Sequence, residues 1–310
     1  MRWGAHLPLV DFGDGGARLG ELCDVVCAAR ELGFDTVSAN DHLLWRRPWL
    51  DGLTALSAVV EHATGMTMAT SVALPAVRHP VVLAKSVATL AVLHNGPFIA
   101  GIGPGSGRAD YAAVGVPFVE RWRRFDEAAR ILRAVLRGEN RLDASPDAMF
   151  APVPDLAPQV WSASWGSALR LRAVADTADG WFASGYNTDP TRFAASRAQL
   201  DAELRRAGRD PAAFPDAIAT MWLYVSSDAR EAAAVVDDVL APVLGRDPRT
   251  LARYLPVGTA DHCITVLDAY ARAGARRILL WPVRNPVRQL EMFAEHVAPH
   301  VPSVDSPRAF

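Results

Sequence analysis

Eight short apolar or β-branched runs, amphipathic helical stretches between them, and no linker long enough to split the chain predict an α/β fold. The expected architecture is a (β/α)8 TIM barrel with insertions, filling residues 1–310 as a single domain. Residues 2–7 form the first strand, stopped by Pro8 and followed by a Gly/Asp loop through Gly16. Leu19, Leu22, Val26, Ala29 and Gly33 then recur at helical spacing, with the glycine closing the helix. The second strand follows at 34–39, and the remaining six are expected at 66–74, 98–103, 159–163, 180–184, 218–225 and 277–282. Between them, Pro80 opens a helix as a first-turn proline, and Phe118, Trp122, Phe125, Ala129, Leu132 and Leu136 stripe another. Pro190, Asp228 and Thr259 open three more. Insertions fall at 138–158, where Pro146, Pro152, Pro154 and Pro158 crowd together, and at 210–216. A doubly wound open sheet is the competing architecture, since closure of a sheet leaves no local mark.

Composition narrows the function. Half of the chain is apolar and 21% charged, with 32 basic against 34 acidic side chains. Such a balance gives no electrostatic footprint for nucleic acid or anionic lipid. The longest apolar stretch, 81–93, is broken by Lys85 and is too short to span a bilayer. The N-terminus reaches Pro8 and Asp11 before any sustained apolar core, so a cytoplasmic location is expected. Cys23, Cys27 and Cys263 make no disulfide framework and read as small buried apolar side chains. Lys85 is the only lysine and falls within a helix, which removes Schiff-base chemistry from a strand-borne amine. His6 and His42 are the only strand-end histidines, too few for a metal-dependent hydrolase.

In a parallel barrel the chemistry sits where strands end. Strand 2 ends in Asp41 and His42, with Trp45 and Trp49 close behind. His42 is either a proton carrier in a cleft or a satisfied core histidine, and the two tryptophans either wall a substrate pocket or pack under a loop. Strand 4 runs into Gly101, Gly103, Gly105 and Gly107, with neither a dinucleotide fingerprint nor a phosphate loop. These glycines either let backbone approach a flat ligand or simply turn the chain at the rim. Ser164, Trp165, Gly166 and Ser167 precede a helix starting near Ala168, which suits either phosphate binding or an ordinary serine cap. Ser184 and Tyr186 end strand 6, and Arg284 follows strand 8. Arg121, Arg123 and Arg124 alternate with the apolar stripe of their helix and read as a solvated face.

These strand ends resemble the luciferase-like monooxygenase superfamily of flavin- and deazaflavin-dependent enzymes. The resemblance runs through 33–43, Thr70-Ser71-Val72, Arg78-His79-Pro80, Leu83-Ala84-Lys85, 101–105, 114–117, 123–127, 161–167, 179–181, 257–259 and 274–282. It implies a bacterial luciferase-like barrel that binds coenzyme F420 or FMN at the C-terminal mouth, with a non-prolyl cis peptide at Ser71-Val72 against the ring. It further implies that Ser164 to Ser167 meet the cofactor phosphate, that Asp41 contacts the cofactor, and that His42 lies beside the hydride-transfer centre. On the same basis Gly103, Gly105, Ser184 and Tyr186 are candidate cofactor contacts. Trp45, Trp49 and Arg284 are expected on the substrate side, and Arg46, Arg47 and Arg108 are candidates for an acidic cofactor tail.

Two departures matter. Where the deazaflavin-dependent sugar-phosphate dehydrogenases carry a catalytic glutamate after the strand 4 glycines, this chain has Ser106, and their substrate-phosphate lysines have no counterpart. The aromatic after the histidine is displaced by one residue, to Trp45. The expected function is an oxidoreductase or monooxygenase acting on a small organic substrate, with F420 slightly preferred to FMN. A flavin reductase is an expected partner if FMN is used, and a homodimer is expected from the resemblance. The alternative is a cofactor-binding carrier or sensor without turnover, kept open by Ser106.

Overall fold

A computed structural model describes residues 1–13, 15–139 and 149–302. Among the described residues nine parallel strands are present: β1 (Arg2–His6), β2 (Thr36–Ala39), β3 (Thr67–Ala73), β4 (Phe98–Ile102), β5 (Gln159–Ala163), β6 (Gly180–Ser184), β7 (Asp216–Val225), β8 (Val257–Gly258) and β9 (Arg277–Pro282). They pair in the order β6-β5-β4-β3-β2-β1-β9-β7-β8, and an additional β6–β7 pairing closes eight of them into a barrel. Closure rules out the doubly wound alternative. All eight expected strands are in the wall, and the eighth of them is the ninth in chain order. The extra strand, β8, pairs only with the end of β7, through Tyr224 and Val225.

The local rules hold at the helix starts. Pro80 and Pro190 occupy first turns of Pro80–His94 and Pro190–Arg206, and the Asp189 carboxylate caps the latter by accepting from the Arg192 N–H. Asp228 caps Ala229–Ala234, and the Thr259 hydroxyl caps Ala260–Arg272. The first helix, Leu19–Glu31, buries Leu22, Val25, Val26 and Ala29 against the sheet. Leu19 is 60% exposed, a correction to the expected stripe: it is the first residue of the helix, and burial begins one turn later at Leu22. Gly33 follows with φ +81°, a left-handed residue suited to the turn into β2. The striped helix is Arg121–Leu136, and Phe118 belongs to a separate one-turn 3-10 segment. Of its arginines, Arg123 and Arg124 pair with Glu120 at the surface.

The expected insertion at 210–216 shortens to a turn, because β7 already begins at Asp216. In the other, Pro146 lies outside the described residues, and Ala151-Pro152 is a cis peptide. Only Cys263 is fully buried; Cys23 and Cys27 are half-buried, since they lie on the flank of their helix rather than on its inner stripe.

Two apolar layers hold the barrel. One lies between strands and helices, and the other, Ala69, Ile99, Trp161, Phe182, Ala217, Ala219 and Leu279, is drawn from strands alone and plugs the interior. The plug leaves the strand C-termini as the place where polar side chains gather.

Candidate functional site

The mouth begins with stacked rings. Trp281 on β9 lies against His6 on β1, ring centroids 3.7 Å apart and 21° from parallel, and against Trp222 on β7 at 3.9 Å and 16°. His6 is fully enclosed, and burial pushes its imidazole down to about 3, only partly opposed by its hydrogen bond to the Leu7 carbonyl. It is therefore a neutral ring at physiological pH. Trp49 meets the edge of Trp281 at 5.6 Å, Trp45 meets Trp49 at 5.4 Å, and both surround His42 at 4.7 and 4.3 Å. The structure thus brings together His42, Trp45 and Trp49, and extends their wall through Trp281 and Trp222, which no sequence reading singled out as site residues.

Behind His42 stands a carboxylate that the strand-end reading also missed. Asp110, on the short helix Arg108–Ala113, accepts from Nδ1 of His42 at 2.9 Å through one oxygen, and from the N–H groups of Leu43 and Leu44 at 2.8 and 2.9 Å through the other. Burial raises its pKa, but the bond from His42 and those from the two backbone donors outweigh it, so the carboxyl titrates below its ordinary range. Ser106, which stands where the resemblance expects an acid, is exposed.

Asp41 sits differently from its neighbour. Both of its oxygens take a bidentate fork from Arg78, Nε to Oδ2 at 2.7 Å and Nη2 to Oδ1 at 2.8 Å, and Oδ2 also accepts the Leu74 N–H at 3.3 Å. Arg78 bonds Asp51 as well, and both partners raise its pKa. The trio ties the end of β2 to the end of β3, where Ser71-Val72 is indeed a non-prolyl cis peptide and the β3–β4 register shifts. The Ser71 hydroxyl, buried at this bulge, has no hydrogen-bond partner among the described residues, nor does the Asn40 side-chain oxygen beside Asp41.

The strand 4 glycines make room for this chain's own side chains. A Cβ on Gly103 would lie 2.7 Å from Val72 Cγ2, and one on Gly107 would lie 2.4 Å from the Asp110 carboxylate. Gly105 turns the backbone with φ +70°.

Farther round the rim, Ser164 is buried and its hydroxyl accepts the Gly166 N–H at 3.1 Å, while Trp165 is 66% exposed. Gly166 has φ +88°, and a Cβ there would strike Ser196 Oγ. Ser167 caps the helix Ala168–Thr177 without using its hydroxyl, so the first-turn N–H groups carry no side-chain cap. On β6, the Ser184 hydroxyl has internal partners, Thr220 and Asn187, each at 3.0 Å, and Tyr186 is half-buried with its phenol pushed up by burial. Arg284 is exposed beside a small recess lined by Phe12 and Trp281. Of the arginines expected near a tail, Arg46 donates to the Pro242 carbonyl and Arg108 stacks on Phe118 at 4.5 Å. Among the described residues no cluster of side chains suits a metal ion.

Comparison with known proteins places these features in context. Residues 7–253 match the family described as luciferase-like monooxygenase. An F420-dependent glucose-6-phosphate dehydrogenase of Amycolatopsis mediterranei is 33% identical over 39% of this chain and 38% of its own length. That of Microbacterium testaceum is 26% identical over 91% and 93%. The first of these matches thus spans less than half of the relative. Among solved structures, an F420-dependent secondary alcohol dehydrogenase in complex with an F420-acetone adduct superposes with TM-score 0.83 at 17% identity, over 97% of this chain and 99% of that one. A 3,6-diketocamphane monooxygenase from Pseudomonas putida in complex with FMN gives 0.72 at 16%, over 98% and 99%.

Proposed function

This chain belongs to the luciferase-like monooxygenase family, and we propose that it is an oxidoreductase that uses coenzyme F420, with FMN as the alternative, on a small organic substrate. The observation that carries the proposal is the placement of His42, enclosed by Trp45 and Trp49, on the same rim as the Ser71-Val72 bulge and the uncapped turn at Ser167. The residues fit such a cofactor. Ser71 and Asn40 present buried polar atoms without partners among the described residues, a Cβ at Gly103 would meet Val72, and the helix at Ser167 begins without a side-chain cap, leaving its N-terminus to a phosphate.

When bound, a deazaflavin supplies hydride transfer, whereas a reduced flavin supplies oxygen activation. The protein's part is to bind, orient and handle protons. Val72 would buttress the ring and the turn Ser164 to Ser167 would hold the phosphate, with Gly103, Gly105, Ser184 and Tyr186 completing the cradle. Asp41, three of whose acceptor directions are already used, would contribute mainly by holding the β2 and β3 ends together. His42 would exchange a proton with the substrate.

Trp45 and Trp49, half-buried against His42 and backed by the buried Trp281 and Trp222, favour a flat, largely apolar substrate, with Arg284 near the same rim. A sugar phosphate fits poorly, because Arg78 is committed to two carboxylates and Lys85, the single lysine, is engaged with the Ala151 carbonyl. Asp110, enclosed behind His42, does not replace the acid missing at Ser106, but by holding His42 at the mouth it favours turnover over a carrier role. We also propose a homodimer, and a flavin reductase partner in the case of FMN.

Titration of purified protein with F420 and FMN, followed by tryptophan fluorescence and cofactor absorbance, tests the assignment. Binding of F420, and reoxidation of its reduced form by apolar ketones but not by the product lactone of glucose 6-phosphate, is the expected result. Preference for FMN would move the enzyme to the oxygen-activating branch, and binding of neither would end the proposal.

A further inference from the structure

The His42–Asp110 contact defines more than proximity. Asp110 lies on the helix Arg108–Ala113 with its side chain fully enclosed, and the 42–44 segment bonds both of its oxygens. Held ionised, the carboxylate can only accept hydrogen bonds. An acceptor-only oxygen 2.9 Å from Nδ1 requires the proton to be on Nδ1, and a neutral imidazole then has its lone pair on Nε2. Rotation of the carboxylate is blocked because the other oxygen is occupied by Leu43 and Leu44, and Gly107 leaves no Cβ to displace it.

We propose that Asp110 is a positioning residue of this site: it fixes the His42 tautomer and anchors the loop that carries His42, so that Nε2 is the atom exchanging a proton with substrate. The part concerning substrate rests on the function proposed above. The part concerning the tautomer stands on the protein alone.

The test is Asp110→Asn, a substitution of nearly equal shape. Two backbone N–H groups hold the side-chain oxygen on their side, so the new amide nitrogen must occupy the place of Oδ2 and donate toward His42. That requires Nδ1 to lose its proton and Nε2 to gain it. Long-range proton–nitrogen correlation spectra of cofactor-free protein with labelled histidine, with His42→Gln to assign the signal, read the tautomer directly. The wild type is expected to show Nδ1–H and the variant Nε2–H at a pH where the ring is neutral. With cofactor and substrate, the variant's kcat is expected to fall ~10²-fold or more while KM stays within about threefold. An Nε2–H tautomer in the wild type, the same tautomer in both proteins, or kcat unchanged after the tautomer has flipped overturns the proposal. A wrong cofactor assignment leaves the spectroscopic result intact, which separates the two failures.

Discussion

His6 and His42 carry the same side chain at strand ends, and their neighbours give them opposite tasks. His42 faces a carboxylate and the mouth, whereas His6 is sealed beneath Trp281 and kept neutral by burial, with its imidazole down at about 3. The consequence for stability has a definite sign. Its folded pKa lies below the ordinary 6.5, so between those two values the unfolded chain binds a proton that the folded one does not. The contribution is complete above pH 6.5 and is lost as the pH falls toward 3, by ~1.4 kcal/mol per unit and up to roughly 5 kcal/mol in all. Urea unfolding between pH 7 and 4 is expected to show this slope in the wild type and a reduced one in His6→Phe, which keeps a ring against Trp281. Equal slopes would mean that His6 is not the titrating group. At this scale His42 was legible, because a histidine after a β-branched run needs no partner to be noticed. Asp110 was not: it lies 68 positions beyond His42 in a six-residue helix, and only the approach of that helix to the 42–44 loop makes it a partner.

At the scale of elements, strands and helix starts were readable because their causes are local. Prolines at first turns and threonine or aspartate caps act within four residues of themselves. The two-residue β8 escaped notice because two residues have no period to detect. The helix Ala168–Thr177 offers an experiment in which stability and binding separate. Ser167→Asp supplies the cap that the serine hydroxyl does not make and places a negative charge at the positive end of the helix. Its stability is expected to rise by about 0.5–1 kcal/mol, while cofactor Kd rises about tenfold through repulsion of the phosphate. Thermal melting and fluorescence titration measure the two effects, and unchanged affinity would move the phosphate away from this turn. The Ser71-Val72 bulge shows the limit of local reading: the resemblance implied the cis peptide, but not that the Asp41–Arg78–Asp51 trio would brace the end of its strand.

For the whole molecule, closure through the β6–β7 and β1–β9 pairings brings residues from both ends of the chain into one mouth. The outer surface bears on the proposed homodimer. On the helix Pro80–His94, Val82 and Leu93 are each 62% exposed and Val92 45%, an apolar face suited to a second copy. Light scattering is expected to give twice the chain mass for the wild type and a shift toward the single-chain mass for Leu93→Arg, whereas a monomeric wild type would discard the dimer. From the sequence alone came the alternation of strands and helices, their caps, the histidine at a strand end and the exclusion of lysine chemistry, because each depends on neighbours within a few positions or on counting. The tertiary structure alone decided that the sheet closes, that Asp110 holds His42, and that His6, Trp281 and Trp222 stack across β1, β9 and β7. Those contacts join residues from distant parts of the chain, and a distant pairing imprints no spacing on the sequence between its members.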